Sequence, residues 1–503
     1  MMGEVFQSLL TLEVILVLVL APLAGIVIGA LPGLTTTMAV ALLLPMTFGM
    51  QPIVAIVMLV AVYGAATYGG AIPAILLHTP GAPSSAATAM DGYALTQKGQ
   101  GLKALGVATI SSVFGGLVGA FVLLTLAPPL ARLSLNFSAA EYFLMALFGL
   151  TIIGSLSNES MIKGLTAGAF GLMVAVIGLS NNGFVRYTFG NMHLMGGIPM
   201  VPALIGLFSL SQVLIQVENK EAADADMKKI EAIKGSFFPT KEEFRYLTPT
   251  ILRATIVGIF IGILPGAGGD VGSWVAYNEA KRKSKNKEMF GKGSLEGVAA
   301  PETANNAVAS CSLIPTLTFG IPGSSVAAVI LGGLTIQGLV PGWQLFTVHG
   351  HITYAIIIGF IFCNIIKGFF GFLAARHIVK VTRVPIALMM PIIVVLAVVG
   401  SFSMMNTMYP VYVMVVFGGL GYLMRKLGFP PAPTVLALIL GPIAERSLSQ
   451  AIMMSRVPML QYFFTRPISV VFIVLILLTL FKPMFSHYMS KRMNAVYGEN
   501  TNK

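Results

Sequence analysis

Runs of mostly apolar residues recur from one end of the chain to the other, and about 17 to 25 such residues cross roughly 30 Å of hydrocarbon. The best runs are Leu12 to Ala30, Pro52 to Leu77, Leu105 to Ala127, Ala139 to Leu156, Leu165 to Leu179, Ile198 to Ile215, Ile251 to Leu264, Ile352 to Ala374, Pro385 to Gly400, Val411 to Leu423 and Pro467 to Phe481. A backbone amide in lipid finds no water, so each crossing must satisfy its own hydrogen bonds as a helix. The 503 residues are 56% hydrophobic and 10% charged, with mean hydropathy +0.86, more apolar surface than a soluble core hides. The expected fold is an all-α polytopic membrane protein with roughly 10–13 transmembrane segments. The bracket is wide because segments broken by Gly and Pro can be crossings or re-entrant hairpins.

The chain also repeats itself. GIVIGALPG, Gly25 to Gly33, returns as GIFIGILPG, Gly258 to Gly266, with seven identities in nine. Downstream, IPAILLHTPG from Ile72 to Gly81 and IPTLTFGIPG from Ile314 to Gly323 share their Ile-Pro and Pro-Gly pairs at the same spacing. Ser84, Ser85, Ala87, Gly92 and Gln97 then match Ser324, Ser325, Ala327, Gly332 and Gln337 once Ala82-Pro83 is taken as an insertion. A doubled apolar chain whose copies carry helix-breaking Pro-Gly pairs suggests a secondary transporter.

This divides the chain into a first transmembrane repeat (1–216), a hydrophilic linker (217–246) and a second repeat with a cytoplasmic tail (247–503). Glu221, Asp224, Asp226, Glu231, Glu242, Lys220, Lys228, Lys229 and Lys234 mark the linker as solvated. An odd number of crossings per copy would invert one repeat relative to the other. The N-terminus carries Glu4 and Glu13 instead of the basic start of a secretory signal, so Leu12 onward reads as a retained helix. A net charge of +12 could suggest nucleic acid, but the cations lie in hydrophilic connections, where positive-inside bias explains them. Lys281, Arg282, Lys283, Lys285 and Lys287, then Arg376, Lys380 and Arg383, then Lys491 and Arg492, are expected on the cytoplasmic side. Cys311 and Cys363 in apolar segments read as buried free thiols.

Pro lacks a backbone donor and Gly lowers helix propensity, so Leu31-Pro32-Gly33 and Leu264-Pro265-Gly266 should each interrupt a helix at membrane depth. Such freed backbone is tolerated in hydrocarbon only where it is buried in protein or lines a polar cavity. Gly33, Thr35, Thr36 and Thr37 at the first break, and Gly266, Gly268, Gly269, Asp270 and Ser273 at the second, offer oxygens for Na⁺ or a proton relay. Thr79-Pro80-Gly81 with Ser84 and Ser85, and Ile321-Pro322-Gly323 with Ser324 and Ser325, read as hairpin tips running into helix N-termini. Two such ends can hold a carboxylate with amides and hydroxyls and no Arg. Ordinary interhelical turns are the plain alternative. A third cluster, Pro301-Glu302-Thr303-Ala304-Asn305-Asn306, reads as the opening of an apolar helix. There Glu302 suits ion coupling and Asn305 and Asn306 suit substrate, with capping by Thr303 or the Asn side chains as the alternative.

Other polar residues carry weaker expectations. Asp91 is expected near the far end of the first hairpin helix, interfacial or functional, and Glu141 as an interfacial cap. His78 packs or titrates beside the first tip. His349-Gly-His351 is assigned to a loop, with no companion ligands for a metal. No catalytic site, metal site or cofactor is expected, and no Walker loop, His-Glu-x-x-His or Gly-x-Ser-Gly occurs.

GALPGLTTTMAVALLLPMTFGM, YGGAIPAILLHTPGAPSSAATAMDGY, GKGSLEGVAAPETANNA and LIPTLTFGIPGSSVAAVILGGLTIQGLVPG resemble the large membrane subunit of tripartite tricarboxylate transporters, the TctA family. The resemblance covers essentially the whole chain. It implies a multi-pass protein of the bacterial inner membrane that imports a small organic carboxylate down an ion gradient. A small membrane subunit and a periplasmic solute-binding protein are the implied partners, with Na⁺ or H⁺ as coupling ion and no nucleic acid. An elevator-like movement of the tip-bearing domain follows by analogy. The pattern departs at His78, where a small amide residue is usual, and at Asp270, where a small residue is usual. A citrate-like tricarboxylate, a smaller dicarboxylate or an aromatic acid would fit such a site. The rival readings are a permease of an ATP-driven importer and a polytopic membrane enzyme.

Overall fold

Apolar length does set the architecture: in the computed structural model, seven helices among the described residues are long and apolar enough to cross a membrane. They are Leu12–Ala30, Pro52–Leu77, Gly101–Asn136, Met200–Glu218, Lys241–Ile263, Gly350–Leu373 and Pro431–Met454. Six shorter apolar helices of 10–17 residues accompany them, among them Thr36–Thr47 and Ser325–Ile336. The structure describes residues 2–31, 33–155, 160–180, 183–218, 236–266, 268–374, 386–455 and 457–480. Pro32, most of the linker from Lys220 to Lys234, the basic Arg376, Lys380 and Arg383, and the tail with Lys491 and Arg492 lie outside them. The remaining end of the linker is helical. Thr240 caps the Lys241–Ile263 helix in a reciprocal capping box with Glu243, so residues 241–246 form its first turns.

The chain groups into two compact units, neither continuous in sequence. One takes Met1–Asn136 and Ile198–Leu427, and the other Phe137–Gly197 and Gly428–Lys503. The smaller unit contains the Ala139–Ser155, Met161–Ala175 and Pro431–Met454 helices and the one strand pair among the described residues, Gly178–Leu179 against Val185–Arg186. The run expected to span Leu165 to Leu179 therefore stops being helical at Ala175, and its end turns into that short strand. In this unit buried Glu141 accepts from the Ser138 amide (2.8 Å), Arg466 Nε (2.6 Å) and Ser469 Oγ (2.7 Å). It caps a helix as expected, but inside the protein.

Both copies of the repeated blocks lie in the larger unit. Between close-packed membrane helices there is little hydrophobic gain, so small residues that let backbones approach decide which faces meet. The repeated block spaces its glycines four apart, on one face of its helix. A Cβ on Gly25 would come within 3.0 Å of the Val62 carbonyl, and one on Gly69 within 2.7 Å of the Ile26 carbonyl, so Leu12–Ala30 lies directly on Pro52–Gly69. In the second copy a Cβ on Gly258 would reach the Ala304 carbonyl at 2.6 Å, and one on Gly262 would meet Cys311 Cβ at 2.7 Å. This seats Lys241–Ile263 on Leu295–Cys311. Gly115 and Gly119 let the Gly101–Leu133 helix close on the other side of Leu295–Cys311, against Thr303 and Ala307. Leu295–Cys311 is thus enclosed along its whole length, and every residue from Glu296 to Cys311 is buried.

Candidate functional site

The two copies of the first block end their helices alike. Leu31 and Leu264 donate their amides to the Ile28 and Ile261 carbonyls, each at 3.2 Å. Gly33 and Gly266 then take φ of +79° and +78°, a left-handed turn that a Cβ disfavours. Helix resumes at Thr36, where the Thr35 hydroxyl accepts from the Met38 amide at 3.3 Å, and at Gly268 in the second copy. The backbone freed at the breaks finds partners: Gln216 Nε2 donates to the Gly33 carbonyl at 2.6 Å, and the Gly268 amide to the Gly323 carbonyl at 3.3 Å. Asp270 sits in the first turn of the Gly268–Lys283 helix, and Ser273 Oγ donates to the Gly269 carbonyl at 2.8 Å.

The hairpins also match. Thr79 and Ile321 donate their amides to the Pro73 and Pro315 carbonyls, each at 3.3 Å, across His78 (φ +58°) and Gly320 (φ +70°). His78 therefore occupies a left-handed cap that the second copy gives to glycine, and its ring lies 4.9 Å from that of Tyr93. Pro83–Ser85 makes a single tight turn into the Ala86–Gln97 helix, while Ser324 caps Ser325–Ile336 by accepting from the Ala327 amide at 3.1 Å. Tyr63 Oη lies 3.1 Å from that same Ser324 hydroxyl and 3.0 Å from Ser312 Oγ. At the first tip the Thr79 and Ser85 hydroxyls are buried and meet no hydrogen-bond partner among the described residues.

The Glu302 cluster differs from the sequence expectation. Its helix begins six residues earlier, at Leu295, capped by the Ser294 hydroxyl that accepts from the Gly297 amide at 3.3 Å. Pro301 is interior to the helix, and Glu302, Thr303, Asn305 and Asn306 project from its middle, so capping is not their role. Glu302 accepts from Thr88 Oγ1 at 2.6 Å and from Ser112 Oγ at 3.0 Å. Asn306 Nδ2 donates to the Glu302 carbonyl at 3.0 Å, and Asn305 Nδ2 to Ser84 Oγ at 3.1 Å. Beside them lies Lys367, fully buried, donating to Asn364 Oδ1 at 2.8 Å and Asn306 Oδ1 at 2.9 Å.

Sequence reasoning missed Lys367, although its signal was present: it is the one Lys, Arg, Asp or Glu in the Gly350–Ala374 helix. An ionisable residue within a spanning helix marks a site by default. Tyr63 and Ser112 were missed because a Tyr or Ser in an apolar helix looks like any other.

These contacts join the breaks and the tips. From Ser84 at the first tip the path runs to Asn305. A Cβ on Gly269 would touch Asn305 Oδ1 and come within 3.3 Å of Ser84 Cβ, which places the second break there. Gly268 leads on to Gly323, and the second tip to Tyr63. A Cβ on Gly81 would lie 2.6 Å from the Gly29 carbonyl, so the first tip also rests on the end of the first interrupted helix. Thr36 is buried, and Thr37, Pro80, Pro322 and Ser325 flank these contacts without a side-chain hydrogen bond among those described.

Of the two readings of Asp91, interfacial or functional, burial removes the first. It is fully buried rather than interfacial: Oδ1 accepts from the amides of Gly291 (2.9 Å), Gly293 (2.8 Å) and Ser294 (2.7 Å), and Oδ2 from Tyr277 Oη (2.8 Å). His351 is the second residue of the Gly350–Ala374 helix, not a loop residue. Among the described residues no group of three or more His, Cys, Asp or Glu could hold a metal ion.

Paired interrupted helices and paired hairpin tips around a buried polar cluster, inside apolar helices, define a multi-pass membrane protein of the solute-carrier kind. The comparison with known proteins is specific: residues 15–436 match the model of the tripartite tricarboxylate transporter TctA family, and the chain belongs to that family. It is a large-subunit transporter family of tripartite systems. The "Uncharacterized 52.8 kDa protein in TAR-I ttuC' 3'region" of Agrobacterium vitis is 36% identical over 452 residues, 90% of this chain and 89% of that protein. The "Uncharacterized protein in TAR-II ttuC' 3'region" of the same organism is 38% identical over 199 residues, 40% of this chain and 82% of that protein.

Proposed function

We propose that this large subunit imports an organic carboxylate across the bacterial inner membrane by cation symport, with a small membrane subunit and a periplasmic solute-binding protein as partners. The observation that carries this reading is the first tip. Buried hydroxyls of Thr79 and Ser85 without partners among the described residues, next to Ser84 and Asn305, are donors held ready for an acceptor that those residues do not supply. Ser324, Ser325 and the amides after Pro322-Gly323 are the corresponding donors of the second tip. Neutral donors suit a carboxylate that must also leave, because no fixed cation holds it. The cation is assigned to the breaks, where Thr35, Thr36, Thr37 and Ser273 supply oxygens and Asp270 the charge. The Gly268–Gly323 hydrogen bond already ties the second break to the second tip, and in this reading it is the contact through which occupation of the breaks would be felt at the solute site.

The test is uptake of labelled di-, tri- and aromatic carboxylates by native cells with and without the gene, each with and without an ionophore. Loss of one solute's uptake on deletion, together with ionophore sensitivity in the intact strain, is the expected result. Uptake that survives the ionophore but fails on ATP depletion would overturn symport, and no difference across the panel would overturn carboxylate import.

A further inference from the structure

Lys367 has no part in that reading, yet it is the most completely enclosed cation among the described residues. Its ammonium faces four oxygens: Asn364 Oδ1 at 2.8 Å, Asn306 Oδ1 at 2.9 Å, and the backbone carbonyls of Ser112 at 3.4 Å and Gly64 at 3.5 Å. Three helices besides its own supply the last three of these groups. Glycine makes the room. A Cβ on Gly116 would touch Asn364 Oδ1 and lie 3.3 Å from Lys367 Nζ, and one on Gly64 would collide with Phe360 at 2.7 Å. Among the described residues the only carboxylate bound into the same set of side chains is Glu302. Ser112 joins the two, its hydroxyl donating to the Glu302 carboxylate and its carbonyl accepting from Lys367, while Asn306, one turn along the Glu302 helix, accepts from Lys367 and donates to the Glu302 backbone carbonyl. The other ionisable side chain nearby on the lysine helix is the buried thiol of Cys363, one turn away.

A carboxylate buried among helices needs a counter-charge, and removing one member of such a pair leaves an uncompensated charge that costs more than the pair contributes. A mobile ion in this place would have to shed its water and enter a closed space. A lysine brings the charge tethered. The two short contacts, at ordinary ammonium hydrogen-bond lengths, suit an ion the size of ammonium or potassium better than a smaller, harder one.

We infer that Lys367 is a built-in cation, filling an oxygen-lined cage that accepts an ammonium-sized monovalent ion when the lysine is removed, and balancing Glu302 so that Glu302 positions the cluster instead of holding the travelling ion. Through Thr88 on the first hairpin helix and through the helix bearing Asn305, Glu302 fixes where Ser84 stands. This goes beyond the transport reading and does not depend on the identity of the solute.

The test uses the purified full-length protein in lipid nanodiscs. Lys367→Ala is melted in N-methyl-D-glucamine chloride, too bulky for the cage, and in equal concentrations of potassium or methylammonium chloride. The expected result is a Tm below wild type in the bulky salt that climbs with each tenfold increase in potassium or methylammonium, as mass action requires. Wild type and the Glu302→Gln/Lys367→Ala double variant should lack that climb. Equal responses in Lys367→Ala and the double variant, or none in either, would overturn the inference. If Lys367→Ala does not reach the membrane, Glu302→Gln, Lys367→Met and their combination are compared for membrane level. Recovery in the combination supports charge balance, and equal loss in all three refutes it.

Discussion

Asp91 offers the sharpest test of how the tip helix is held. Its carboxylate takes three backbone amides from 291–294 and the Tyr277 hydroxyl, so Asp91→Ala would strand four donors at once, those of Gly293, Ser294 and Tyr277 buried. A hydrogen bond to a charged group contributes about 1.5–3 kcal/mol, and a buried donor left without a partner costs about 1–3 kcal/mol. Four do not add in full, because the loop relaxes and water enters, and single substitutions rarely exceed about 4–5 kcal/mol. The expected loss is about 4 kcal/mol, local to residues 284–294 and the adjoining helix ends. At about 1.4 kcal/mol per factor of ten, that is roughly a thousandfold more frequent opening of this loop. Asp91→Asn keeps an oxygen for the three amides and turns its amide toward Tyr277, which can accept, so only charge assistance is lost, about 1–2 kcal/mol. Hydrogen exchange read by mass spectrometry on peptides covering 284–297, with the Gly101–Leu133 helix as internal reference, measures both. Exchange in folded Asp91→Ala within tenfold of wild type, or equal effects of Ala and Asn, would refute the clasp.

Replacing Ser84 and Ser324 together by Ala should impair uptake at unchanged membrane levels, since the loss of the Ser324 cap costs only about 1 kcal/mol; wild-type rates in that variant would sink the hairpin site. Asp270→Asn should change the cation dependence of uptake more than its maximal rate, and an unaltered cation profile would remove Asp270 from the coupling path. Gly258→Leu would drive a side chain into the Ala304 carbonyl and Ala307, at a cost of about 1–3 kcal/mol from overpacking; an unchanged Tm of the purified protein would show that these two helices do not touch there.

What the sequence determined by itself is local or compositional. Segment length and apolar content made the protein a helical membrane protein, and Pro-Gly pairs set helix ends because a missing donor and a left-handed φ act within a single turn. Gly33 and Gly266 are legible for that reason, and so is the Ser324 cap. Position along a helix was less legible: Pro301 reads as the opening of a helix, yet the helix begins at Leu295, because Ser294 caps it. Partners across the fold were not legible at all. That Ser112 bridges Lys367 and Glu302, that Asp91 grips residues 291–294, and that Asn305 meets Ser84 depend on which helix faces close together. Here Gly25, Gly115 and Gly258 allow the approach, and their consequence appears only once the helices are packed. The duplication likewise shows in the residues, but the grouping of 137–197 with 428–503 apart from the rest was decided by tertiary contacts between segments far apart in the chain.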